Sequence, residues 1–161
     1  MSGGSFEFKP RRKPCVGMRA RVRKLGIDSA VIFTGQRPAE EIPAYLDAAT
    51  VLASPRSTGT NTPLKIYQYL RSGRPIVATR LLTHTQVLSD EISILADPTP
   101  EAFGQAMLDA FANPARTEAI GERARDVANT RYSDEAFMAK TRAAVDHLVR
   151  EGRREVAGGL A

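Results

Sequence analysis

Short apolar, β-branched runs recur along this 161-residue chain, each stopped by Gly, Pro or Ser and each followed by helical spacing. Ala30-Val31-Ile32-Phe33-Thr34 ends at Gly35, and Thr50-Val51-Leu52-Ala53 ends at Ser54-Pro55. Pro75-Ile76-Val77-Ala78-Thr79 and Ile92-Ser93-Ile94-Leu95 follow. Runs this short and this continuously apolar suit buried strands. Strands alternating with helices predict an α/β fold, a partial Rossmann-like parallel sheet of about four short strands with flanking helices and a helical C-terminus. Ligands of such sheets bind beyond the carboxyl ends of the strands, which nominates the loops after Gly35, Ala53 and Thr79.

The helix signals are local. A short helix is expected from about Gly17 to Gly26, its C-terminal glycine. Pro38 opens another, with Glu40 and Glu41 at the positive end of its dipole and Ile42, Tyr45, Leu46 and Ala49 as its apolar stripe. A third runs from Pro63 to about Ser72, before Gly73. Thr83-His84-Thr85-Gln86 has the form of a capping box. Thr99 caps a helix with Pro100 at N1, lined by Phe103, Met107, Leu108 and Phe111. Two further helices close the chain, and the last has Ser133 as N-cap and an apolar row of Phe137, Thr141, Ala144, Val145 and Leu148.

The length suffices for one domain with a core. No apolar run approaches the roughly 18 residues that would span a bilayer. Cys15 is the single cysteine, which excludes an internal disulfide and a cysteine-based zinc site, and the cytoplasm is the expected compartment. The net charge of +5 is concentrated at the start, where residues 1–24 carry eight Lys/Arg against Glu7. We therefore expect a basic, poorly ordered leader over 1–14, a domain over 15–151 and a flexible tail over 152–161. The leader is a candidate for weak peripheral membrane contact; without interleaved aromatic residues it is not expected to bind a specific nucleic acid.

The loop Arg56-Ser57-Thr58-Gly59-Thr60-Asn61 carries small polar side chains and one glycine. With Thr62 at N-cap and Pro63 at N1, the first free N–H groups of the next helix belong to Leu64, Lys65 and Ile66. Lys65 opposes the helix dipole unless an anion sits there, so the ensemble reads as a diphosphate seat, or else as a capped helix with a solvated lysine.

The segment from Thr62-Pro63-Leu64-Lys65-Ile66-Tyr67-Gln68 to Pro75-Ile76-Val77-Ala78-Thr79 resembles the donor site of family-4 retaining glycosyltransferases of GT-B fold. The order of the surrounding elements, over roughly residues 17–150, matches as well. The resemblance implies the C-terminal, donor-binding domain of such an enzyme. Its diphosphate would lie on Thr62, Leu64 and Lys65, with Gly59, Thr60, Asn61 and Gln68 completing the binding set. The family uses two glutamates eight positions apart, one on the donor sugar and one on the ribose. Thr60 and Gln68 occupy those positions, and no catalytic residue is assigned. Gln68 can hydrogen-bond a ribose diol without charge assistance. No Asp-x-Asp motif is present, so neither a metal nor a cofactor is expected, the nucleotide-diphosphate sugar being the donor substrate.

By the same resemblance, a donor domain begins with two strands that sit mid-sheet before the Val31 strand, and an acceptor domain precedes both. Three outcomes are therefore open for this stretch of chain: direct re-pairing of the strands, a partner chain filling the gap, or a marginal fold. Transfer would need a missing or separate acceptor domain. The alternatives are a non-enzymatic nucleotide-sugar binding module, and an inert α/β body with a basic arm for membranes or nucleic acid.

Overall fold

The computed structural model describes residues 16–158. By contacts the chain divides into two compact units, residues 1–39 and 40–161. The expected leader, 1–14, lies outside the described residues.

In the first unit, α1 (Val16–Lys24) is followed by a 3-10 turn over Asp28–Ala30. Val22 is its buried residue, and the Arg19 guanidinium lies 4.4 Å from the Phe33 ring centroid. Ala30–Thr34 does not form the expected strand. Val31 has extended torsions (φ −118°, ψ 117°), but no strand among the described residues pairs with this segment, and Ile32 is 87% exposed. Extended backbone becomes sheet only when a neighbour takes up its N–H and C=O groups. The sheet therefore has three strands, one fewer than expected.

In the second unit, α2 (Ile42–Ala48) begins later than Pro38, after a 3-10 turn over Ala39–Glu41. Pro43 has no N–H to give to the preceding turn, so the α-helix can start only just ahead of it. β1 (Leu52–Ser54), β2 (Ile76–Thr79) and β3 (Ile94–Ala96) form a parallel sheet in the order β1-β2-β3, with Leu52 opposite Ile76 and Val77 opposite Ile94. Each strand ends one residue beyond its apolar run or level with it, on Ser54, Thr79 and Ala96.

The connections are α3 (Lys65–Ser72) between β1 and β2, and α4 (Leu82–Thr85) between β2 and β3. After β3 come α5 (Pro100–Ala112), α6 (Pro114–Arg131) and α7 (Asp134–Gly158). α7 thus continues through residues 152–158, most of the segment expected as a tail. β2 is buried on both faces. Ile76 and Ala78 meet Ile66 and Leu70 of α3 and Ala124 and Ala128 of α6, whereas Val77 meets Ala106 and Ala110 of α5. Each fully buried aliphatic side chain of this kind contributes about 2 kcal/mol.

The caps explain several boundaries. Thr99 Oγ1 accepts from the Ala102 N–H at 3.2 Å, and Ser133 Oγ accepts from the Ala136 N–H at 3.1 Å. Gly73 ends α3 in the left-handed region (φ +69°). α6 crosses that turn at Gly121, where a Cβ would overlap the Gly73 carbonyl oxygen. Arg125 of the same helix donates to Ser72 O at 2.7 Å. On α7 the expected apolar row is present but uncovered, with Phe137, Val145 and Leu148 all exposed. Among the described residues no helix is long and apolar enough to cross a membrane.

Candidate functional site

The carboxyl ends of β1 and β2 are joined by one buried side chain. His84, on α4, is fully buried. Its Nδ1 lies 2.8 Å from Thr79 O, an atom that only accepts, so the proton sits on Nδ1. Nε2 then accepts from the Ser54 hydroxyl at 3.0 Å. Burial, and after it the charges of Arg56 and Lys65, hold the imidazole below its usual range and keep it neutral; the bond to Thr79 acts in the opposite sense. His84 is thus a strut between two strand ends.

The loop after β1 rests on that strut. Arg56 N–H donates to Thr79 Oγ1 at 3.2 Å. Arg56 Nη1 donates to Asn61 O at 3.2 Å and to Thr83 Oγ1 at 3.0 Å. Thr83 Oγ1 in turn donates to Asn61 O at 2.5 Å. Gln86 grips the loop farther along: its Nε2 donates to Thr60 O at 2.9 Å, and its Oε1 accepts from the Thr62 hydroxyl at 3.0 Å. Gly59 has φ +127°, and a Cβ there would come 3.0 Å from Arg56 Nη1, so only glycine lets the loop fold over this guanidinium.

The expected capping box at Thr83 and Gln86 is not formed. α4 has Leu81 as N-cap with no side-chain cap bond, and Gln86 is its C-cap residue. Both side chains are engaged by the loop carbonyls instead. Nor does Thr62 cap α3. The helix starts at Lys65 after Leu64, and its first turn is tightened by Ile66 N–H donating to Pro63 O at 2.9 Å. Ile66 is thereby removed from the set of free donors, while Leu64 and Lys65 remain in it.

These bonds have an electrostatic result. The carbonyls of Thr60 and Asn61 are turned toward α4 and Arg56. Among the described residues, no backbone N–H from Ser57 to Lys65 has an acceptor within the chain. The loop therefore presents donors without acceptors, beside two cations. Partial burial and then the Arg56 charge hold the Lys65 ammonium below its ordinary value. Its Nζ lies 5.4 Å from the Tyr69 ring centroid. Gln68 is exposed one turn on, on the face of α3 that carries Leu64 and Lys65, while Ile66 and Leu70 face the core. From residue 48 to residue 89 the sequence contains no Asp or Glu but five Lys/Arg, so no local carboxylate neutralises the pair. Such a surface is chemically suited to an anion.

The structure thus gathers Gly59, Thr60, Asn61, Thr62, Leu64, Lys65 and Gln68 on one loop and helix start, and adds Arg56, Thr83, His84 and Gln86 behind them. The signal for the second group was slight: polar residues, Ser54 and Thr79, ending two otherwise apolar strands. Among the described residues no His/Cys/Asp/Glu cluster could hold a metal ion.

Residues 11–113 match the family described as Glycosyl transferases group 1. The chain belongs to that family. Among solved structures, this group 1 chain superposes on HepE of Anabaena in complex with UDP with a TM-score of 0.76 at 16% identity, over 81% of this chain and 36% of that one. It also superposes on sucrose-phosphate synthase of Thermosynechococcus elongatus with a TM-score of 0.78 at 21% identity, over 92% and 38%. The C-terminal domain of the group 1 protein LpcC from Francisella tularensis gives a TM-score of 0.63 at 19% identity, over 76% and 66%. A search among curated proteins returned no match. At these identities the likeness shows the fold, that of GT-B glycosyltransferases. The chain spans a little over a third of the length of HepE and of the synthase.

Proposed function

We propose that this group 1 chain binds a nucleotide-diphosphate sugar, with the diphosphate on the free N–H groups between Ser57 and Lys65 and on the Lys65 ammonium. The observation that carries this reading is that run of unpaired donors converging with two unneutralised cations at the carboxyl end of a parallel sheet. Solved structures of HepE with UDP and with UDP-glucose, on the same fold, support it. In this reading Gly59, Thr60, Asn61 and Thr62 line the seat, Leu64 and Lys65 supply its amides, and Gln68 reaches the ribose. The donor-binding domain occupies 15–151, between a basic leader over 1–14 and a tail over 152–161, in the cytoplasm.

A diphosphate leaving group gathers negative charge as the anomeric bond breaks. Preorganised N–H groups and a lysine stabilise that charge without a general base from this domain. Transfer would then depend on an acceptor domain. A second reading, nucleotide-sugar binding without catalysis, is favoured by the neutral side chains of Thr60 and Gln68.

Titration of the folded chain with UDP and GDP tests the seat. Saturable binding is expected, weakened about tenfold or more in Lys65→Ala, the loss of one charge-assisted contact. Absence of binding at millimolar nucleotide would sink the proposal.

A further inference from the structure

A cavity of about 400 Å³ lies where α3 meets the junction of α6 and α7, lined by Tyr67, Arg71, Arg131, Tyr132, Ser133, Asp134, Phe137 and Lys140. It uses none of the side chains assigned to the diphosphate seat. Its floor is aromatic: Tyr67 and Tyr132 meet edge to face with centroids 5.2 Å apart. Phe137 adds a third ring, 67% exposed at the rim.

Three cations stand around those rings. Arg71, Arg131 and Lys140 make no salt bridge with any acid among the described residues. Arg131 is held near the aromatic floor, its Cζ 5.9 Å from the Tyr132 ring centroid. Two acids are near. Asp134 lines the cavity, and Glu135 is occupied first by its own N–H and then by the Ser133 hydroxyl, with Arg71 a weaker influence. Arg71, Arg131 and Lys140 thus face the carboxylates of Asp134 and Glu135, an excess of one positive charge.

We propose that this cavity binds a phosphate monoester carried on an aromatic or other apolar body. The cations match the phosphate, and the three rings match what carries it. A wholly polar anion would leave the rings unused. An uncharged apolar ligand would leave the excess positive charge unused.

Phenyl phosphate, inorganic phosphate and phenol, followed by NMR of the Tyr67 and Tyr132 ring signals, test this in the whole chain. Saturable binding of phenyl phosphate is expected, tighter than that of either fragment. In the double variant Arg131→Gln/Lys140→Gln it should weaken at least about tenfold, the loss of one charge-assisted contact or more. Both positions are exposed, and an unchanged melting temperature confirms the fold. Phe137→Ser should shrink the preference for phenyl over inorganic phosphate, and Lys65→Ala should leave binding unaltered even if nucleotide binding is lost. Equal affinity for inorganic phosphate, indifference to the double variant, or loss of binding in Lys65→Ala would each overturn the proposal. Vesicles containing phosphatidic acid separate the natural sources. Sedimentation with them, reversed by phenyl phosphate, indicates a lipid headgroup. Binding of phenyl phosphate without sedimentation indicates a free organic phosphate, and neither overturns the site.

Discussion

Gly121→Ala is expected to destabilise the second unit by about 3 kcal/mol, the cost of overpacking a site that cannot yield. The new methyl group would overlap the Gly73 carbonyl oxygen, a backbone atom, and would crowd Pro75 N as well. Gly73 cannot retreat easily. Its left-handed turn ends α3 and leads straight into β2, the central strand. α6 must therefore lift away and loosen Ala124 and Ala128 from Ile66, Leu70 and Ile76. The melting temperature should fall by about 10 °C. Gly104→Ala provides the contrast. A Cβ there meets nothing within 4 Å, in the exposed middle of α5. That substitution should raise stability by about 0.5 to 1 kcal/mol through helix propensity alone. Two Gly→Ala changes of the same sign would show that α6 does not lie where the structure puts it.

His84→Ala should cost about 3 kcal/mol, the combined effect of a cavity and of buried groups left unpaired. The Ser54 hydroxyl and the Thr79 carbonyl would each lose a partner in a dry site. His84→Phe restores the volume and none of the bonds, so recovery of only part of the loss would separate the two causes. Under the proposed reading nucleotide binding should weaken too, because Arg56 is anchored on Thr79. The pH dependence carries an independent signature. His84 is held below its ordinary value of 6.5 in the folded chain. As pH falls through that value, the unfolded chain takes up a proton that the folded chain refuses. Stability is then full above about pH 6.5 and declines below it, through the lowered folded value. Denaturant unfolding between pH 7.5 and 5 should show the decline in the parent and its loss in His84→Ala. An equal slope in both would mean that His84 carries no buried neutral imidazole.

Much of this molecule was legible in its residues, and the failures share a cause. The run at Ile76 announced a strand because burial on both faces leaves no polar alternation, and those at Val51 and Ile94 because they are as continuously apolar in sequence. The run at Val31 looked the same yet formed none, because pairing depends on a neighbour that local composition does not reveal. Thr99 and Ser133 cap helices as their spacing indicates, since a cap is a contact three residues long. Thr83 and Gln86 have the same spacing, but their partners lie 22 and 26 residues earlier, on the loop. That a helix opens near Leu64 and Lys65 could be read from the proline and the polar loop before it. Arg56 and His84 could not, because their roles arise only when two strand ends are brought side by side.

The grip of α4 on the loop makes the seat a property of two distant stretches of chain. Residues 56–65 transplanted alone into another scaffold would lose the groups that turn the Thr60 and Asn61 carbonyls away, and those oxygens would swing back among the amides. Residues 79–86 would have to travel with them, as a single inheritable module of two parts. Substitution of Thr79, Thr83 or Gln86 should then disturb the seat as substitution in the loop does, although only the loop would meet the ligand.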